Sequence, residues 1–271
     1  MAIQCDAIAA RRFSIGTLQR AVVATIAHAA TEPERATWIH ERGRAIKMKT
    51  QFKIDFVSDV SCPWCVIGLR GLQSALSRLA DTVGANIVFH PFELNPMMQH
   101  EGQNIVEHIA QKYGSTREQS AATRGMIRDR AAAVGFKMVN DDDSRIYNTF
   151  DAHRLLHWTK TQGLQHALKE ALFELYFTNG GDPSSHEALV LVATAVGLDP
   201  IEARAILSSD RYADDVRKQE KLWKSRGISS VPAVVINERY LISGGQPADT
   251  FERALREIAA EAQGATTKAG R

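Results

Sequence analysis

Two cysteines three positions apart, Cys62 and Cys65, enclose Pro63 and Trp64. A Cys-x-x-Cys between a strand and a helix is a dithiol redox pattern. The preceding stretch, Phe52 to Ser58, reads as a strand, and Val66 to Ala80 reads as a helix. The first thiol then falls at the helix N-terminus, where unpaired N–H groups and the macrodipole favour an anion. Thiolate is the reactive form of cysteine, so this position predicts that Cys62 is a nucleophile. Cys65 lies one turn further on, within reach of a disulfide to Cys62. Pro63 suits the first turn, whose N–H groups are spare.

Other readings of the pair stand beside this one. Half of a zinc site would need two more ligands. The only other cysteine is Cys5, and no second pair or finger-spaced histidines follow, so no metal is expected. Two inert buried cysteines are a further reading.

Other residues bear on the same chemistry. Proton transfer to or from Cys65 calls for a nearby acid or base. Asp55 and Asp59 on the first strand and Glu93 after the second are the candidate relays, with turn or edge solvation as their plainer role. His90 reads as a satisfied strand-end histidine. His153 and His157, at i and i+4, read as one partly exposed helix face, because no acid matches them. Ser230-Val231-Pro232 precedes a later strand. A proline there marks a strand entry, and sequence alone does not make its preceding bond cis.

The elements that must position these groups can be read in order. Asn86 to His90 is a second strand, with Gly84 in the turn before it. Strand, helix and strand at this spacing imply a right-handed crossover and a parallel pair. Helices then follow from about 95 to 207. They start at Asn104, at the capping box Ser115-Thr116-Arg117-Glu118, at or beside Thr149, at Ser184-Ser185-His186-Glu187 and at Asp199-Pro200. Leu164, Ala167, Leu168, Ala171, Leu172, Leu175 and Tyr176 fit the apolar stripe of an amphipathic helix. A helix over about 212–225 precedes two strands, 233–236 and 240–243, around the hairpin loop Asn237-Glu238-Arg239. Pro247 to Ala260 is the last helix. The expected fold is α/β: one mixed four-stranded sheet from residues 49–94 and 208–262, with an all-helical insertion, 95–207, between its second and third strands. Residues 263–271 read as a frayed tail.

Five separated motifs carry a family resemblance. They are Asp55-Phe56-Val57-Ser58-Asp59 leading into Cys62-Pro63-Trp64-Cys65, Phe89 to Pro96, Asn148-Thr149 with Ala152-His153-Arg154-Leu155, Val231-Pro232, and Ser243 to Pro247. Over about residues 52–260 the chain resembles the DsbA-like thioredoxin superfamily, in its FrnE-type branch. The resemblance implies a thioredoxin fold with a helical insertion and thiol–disulfide oxidoreductase activity. It makes Cys62 the attacking thiol, Cys65 the resolving thiol and Pro232 a cis proline facing them. Val231, Trp64 and Pro63 then become the substrate-binding residues, with the Val231 backbone pairing an extended segment. Some FrnE-type proteins carry a second cysteine pair near the C-terminus, which this chain lacks. A sister branch, the hydroxychromene-carboxylate isomerases and kappa-class glutathione transferases, resembles the chain in its helical insert. Those enzymes typically place serine where Cys62 stands. A non-catalytic binding module is a third function class, with a dithiol that resists alkylation at neutral pH.

Bulk properties bound the rest. Thirty-three basic against thirty-one acidic residues, interspersed, give no electrostatic footprint for nucleic acid or anionic lipid. No apolar run approaches the roughly 20 residues of a membrane span. Disulfide-containing proteins or small thiols are the expected partners, with a separate reductant or oxidant. Glutathione is a candidate co-substrate, and no bound cofactor is expected. Residues 1–48 differ from the remainder. Arginines precede a short apolar run, as in a signal or transit segment, but Met48 stands just before the first strand and is the expected start. That start implies a cytoplasmic protein, whereas a functional leader would imply an exported or organellar one.

Overall fold

The structure is a computed structural model that describes residues 49–269. The expectations for the leader, including Met48 as the start, lie outside the described residues. Four strands form the main sheet: β1 (Thr50–Ser58), β2 (Val83–Pro91), β5 (Ala233–Ile236) and β6 (Tyr240–Ser243), in the order β2-β1-β5-β6. β1 and β2 run parallel, from Thr50 opposite Val83 to Ser58 opposite Pro91, and the other pairs are antiparallel. The sheet is therefore mixed and thioredoxin-like, as the sequence implied. β2 begins three residues earlier than expected, so Gly84 lies within the strand rather than in the turn. The long register with β1 recruits it, which local composition does not reveal.

Helix α1 (Pro63–Arg78) crosses from β1 to β2, and α9 (Ala248–Ala269) packs beside it. Both cover the sheet face carrying Phe52, Ile54 and Phe56. The opposite face, with Val57, Ala233 and Val235, buries Trp223 of α8 (Ala213–Ser225). Alternation along β1 thus sends successive side chains to two different cores. α9 continues through 263–269, where the composition suggested a frayed tail. Extending an established helix is far easier than starting one, and no proline interrupts it.

The insertion contains α2 (Ile105–Tyr113), α3 (Arg117–Ala133), α4 (Phe150–Trp158), α5 (Gln165–Phe173), α6 (His186–Ala195) and α7 (Pro200–Leu207). It is not wholly helical: β3 (Gln103–Asn104) and β4 (Arg145–Ile146) pair as a two-residue antiparallel ladder. Its own core joins α4, α5, α6 and α7, and Val60 from the loop after β1 enters that core. The cysteine loop is therefore packed between the two halves of the fold. No helix among the described residues is long and apolar enough to cross a membrane.

Candidate active site

Cys62 is the N-cap of α1, with extended backbone (φ −93°, ψ 111°), and Pro63 takes the first helical position. The Cys65 amide donates to the Cys62 carbonyl at 3.0 Å, closing the first turn. Both cysteines are free thiols. Cys62 retains 3% of its surface and Cys65 none. An incoming sulfur therefore meets Cys62 first, through a narrow opening. Burial pushes the Cys65 thiol well above its ordinary range, and its contact with Cys62 adds to the rise. Lys169 and the Asp59 backbone pull the other way.

The wall facing the dithiol comes from the loop before β5. The Val231–Pro232 bond is cis, and the Cys62 Sγ donates to the Val231 carbonyl at 3.7 Å. These residues are 169 positions apart in sequence. The sheet brings them together because β1 and β5 are neighbours. Gly68 on α1 allows the close approach: a Cβ there would lie 3.1 Å from Pro232 Cγ and 3.2 Å from Gly245 Cα. Pro63 and Trp64 are half-buried at the rim, and Arg130 stacks over the Trp64 ring at 5.6 Å. All six residues expected at the dithiol site, Cys62, Cys65, Pro63, Trp64, Val231 and Pro232, thus converge there.

The three candidate proton relays separate. Asp59 is buried beside the dithiol. Its carboxylate accepts from the Leu94 amide at 2.7 Å and the Ser61 amide at 3.3 Å. His153 Nε2 stands 3.4 Å away. Burial alone would raise Asp59, but His153, the Leu94 amide and the Thr149 hydroxyl together hold it below its ordinary range. Asp55 is not at the site. It points to the α8 side of the sheet, where its carboxylate contacts His90 Nε2 at 2.8 Å. Glu93 is also engaged elsewhere, paired with Arg217 of α8, while burial raises its carboxyl above the ordinary range. His90, held by Asp55 and by Gln219 at 3.0 Å, is the satisfied strand-end histidine its position suggested.

The structure corrects the sequence reading at His153 and adds Lys169, which that reading does not single out. His153 is buried at 3% exposure rather than on a partly exposed face, because α4 packs against the cysteine loop. Lys169 has no exposed surface at all. The buried stripe of α5 is Gln165, Leu168, Lys169, Leu172 and Phe173, rotated by about one residue from the stripe of Leu164, Ala167 and Ala171. A lysine at i+4 from Gln165 and i−4 from Phe173 was the available signal. It was passed over because lysine is almost never fully buried without a partner.

An open groove of about 590 Å³ borders the site, lined in part by Leu94, Met97, Met98 and Lys112. Leu94 links it to the dithiol, since its amide binds Asp59 and its side chain packs on the core that contains Cys62. Met97 is 84% exposed.

A thioredoxin-type sheet, a dithiol at the start of its first helix and a cis proline opposite define a class of thiol–disulfide proteins. Comparison narrows the class. The sequence signature of the DSBA-like thioredoxin domain matches residues 53–256, and the chain belongs to that family. A probable DsbA oxidoreductase from Streptomyces coelicolor is 34% identical and superimposes with a TM-score of 0.72, over 78% of this chain and 91% of that one. Two solved structures share the fold at lower identity. A 2-hydroxychromene-2-carboxylate isomerase is 18% identical (TM-score 0.58), over 78% of this chain and 98% of its own. The cytosolic disulfide reductase DsbM from Pseudomonas aeruginosa, solved with GSH, is 17% identical (TM-score 0.50), over 76% and 98%. No curated protein sequence matches.

Proposed function

We propose that the protein is a thiol–disulfide oxidoreductase working through a mixed disulfide at Cys62. The observation that carries this reading is the pairing of Cys62, at a helix N-terminus against the Val231 carbonyl, with a wholly buried Cys65 one turn behind it. Cys62 thiolate attacks one sulfur of a substrate disulfide and expels the other. Cys65 then attacks Cys62, releases the second substrate sulfur and leaves a Cys62–Cys65 disulfide. The substrate gains two electrons and the dithiol loses them. In reverse, the same steps oxidise a substrate dithiol or, with rearrangement, isomerise its disulfides. The Val231 backbone, Trp64 and Pro63 form the rim on which an extended disulfide-bearing segment or a small thiol rests, and the groove beside Leu94 receives what flanks it. A separate reductant or oxidant returns the dithiol to its starting state. Glutathione is a fitting co-substrate, and the cytoplasm, where its poise keeps many dithiols reduced, a fitting compartment.

Replacement of each sulfur tests the scheme. Cys62→Ser is expected to abolish insulin-disulfide reduction, and Cys65→Ser to accumulate mixed disulfides visible by non-reducing electrophoresis. Full turnover in both variants would end the dithiol reading. Glutathione-dependent isomerase turnover that survives Cys65→Ala would favour the sister-branch chemistry instead.

A further inference from the structure

Three exposed cations stand around the dithiol without a carboxylate partner among the described residues. Arg130 of α3 lies over the Trp64 ring, 5.6 Å from its centroid. Lys224 of α8 lies over the Phe92 ring, its Nζ 5.7 Å from the centroid. Lys112 of α2 donates to the Leu94 carbonyl at 2.9 Å and to the Asn95 side-chain oxygen at 2.6 Å. Both of those acceptors are neutral, so they orient the ammonium and leave its charge uncancelled. A ring face likewise attracts a cation without neutralising it. The positive field of all three side chains therefore reaches outward.

Contacts tie each cation to the dithiol. Trp64 is one of the two residues between the cysteines. Leu94, which meets Lys112 through its carbonyl, binds Asp59 through its amide at 2.7 Å. Phe92, beneath Lys224, belongs to the core on which Leu94 and Val231 pack. The Val231 carbonyl in turn accepts from Cys62 Sγ at 3.7 Å. Negative charge on this side is withheld from a visiting chain. Asp59 is wholly buried, and Glu93 is buried and paired with Arg217. No carboxylate is among the described residues lining the groove beside Leu94.

We propose that the disulfides this protein acts on lie in acidic polypeptide segments, whose Asp and Glu side chains flanking the disulfide meet Arg130, Lys112 and Lys224. The proposal rests on the dithiol cycle above and names the substrate class of the same site. The groove and the Val231 backbone suit an extended chain. Such a chain carries charge on both sides of its cysteines, as cations borne by three separate helices require. Three cations are few for a nucleic-acid backbone, which is met by roughly six to ten phosphate contacts. Exposed ion pairs add little affinity each, but a charged rim steers and orients the encounter. That suits a substrate that must leave once electrons have been exchanged.

Peptides with one internal disulfide test this on the full chain, with glutamate, glutamine or lysine flanking each cysteine. The protein is reduced beforehand and held in excess for a single turnover. The peptide then gains two electrons and the dithiol loses them, with no added reductant. Each rate is divided by that with dithiothreitol, which corrects for the peptide's own reactivity. The glutamate peptide is expected to react about 10-fold faster than the glutamine peptide, and the lysine peptide slower. Raising the salt to about 0.5 M should bring the three rates together. Arg130→Glu combined with Lys224→Glu should make the lysine peptide faster than the glutamate peptide. Ratios within one variant are insensitive to loss of folded protein. If the paired variant does not fold, Arg130→Gln and Lys224→Gln singly should each lower the glutamate-to-glutamine ratio about 2- to 4-fold. Rates that ignore the flanking charge, or a ranking that survives high salt or these substitutions, overturn the assignment. Oxidised glutathione, an anionic disulfide without a long chain, is the other arm. If charge reversal slows it as much as the glutamate peptide, the cations serve small anionic disulfides and the polypeptide assignment is overturned. Failure to reduce any of the peptides at any salt would instead refute the dithiol cycle itself.

Discussion

At the scale of single residues, two buried ionisable groups make stability depend on pH. Lys169 lies below its ordinary value in the folded protein, at about 8 against 10.5. The unfolded chain therefore binds more protons between those values, so stability rises with pH across that window and carries the full penalty below it. The depression corresponds to roughly 3 kcal/mol. Lys169→Met is accordingly expected to be more stable than the natural chain at pH 7, by up to about that amount. Its rise in stability from pH 8 to 10.5 should be smaller than that of the natural chain. Urea melts at pH 7 and pH 10 measure both. Asp59 has the same direction of pH dependence but a favoured charged form: its depressed native value contributes stability above the ordinary carboxylate range, lost as pH falls through that native value.

At the scale of elements, α1 is held close to two backbone segments by residues without side chains. A Cβ at Gly71 would lie 2.5 Å from the Gln246 carbonyl oxygen, a backbone atom with little freedom to retreat. Gly71→Ala is expected to cost about 1–3 kcal/mol and to lower the melting temperature. It should also alter the rate of Cys62 alkylation, since the same helix carries the thiol. Features governed by near neighbours were legible in the sequence. Asn104 caps α2, Gly114 ends it at φ 67°, Ser185 caps α6, and Asp199 with Pro200 opens α7. The capping box of α3 uses Thr116 and Gln119, close to the expected start. The six converging residues of the dithiol site were also legible, because their types and order carried the family likeness. Features set by distant packing were not. Which side of α5 is buried depends on α1 and β2, so Lys169 and Gln165 stayed hidden. Asp55 and Asp59 looked equivalent on paper, yet only the loop position of Asp59 turns it toward the cysteines.

At the scale of the whole molecule, a few polar contacts seat the insertion over the sheet. Arg70 of α1 pairs with Glu170 of α5 at 2.7 Å, and Gln73 reaches the same carboxylate at 2.8 Å. Gln165 makes the deepest link. Its side-chain amide accepts from the Phe89 N–H at 2.9 Å and donates to the Phe89 carbonyl at 3.0 Å, on the outer edge of β2. It also reaches the Leu156 carbonyl at 3.0 Å. Gln165→Leu would strand these buried groups and is expected to cost roughly 3 kcal/mol. Hydrogen exchange at the Phe89 amide should accelerate more than at the Ile54 amide on the central strand β1. If both accelerate equally, the clasp does not act locally.

That same glutamine presents to Phe89 the donor and acceptor that a neighbouring strand would offer, in the space of one residue. An unpaired strand margin invites foreign peptide to extend the sheet. Here, at the level of Phe89, the invitation has already been answered from within the chain, so growth by strand addition along that border would first have to evict the helix that bears Gln165.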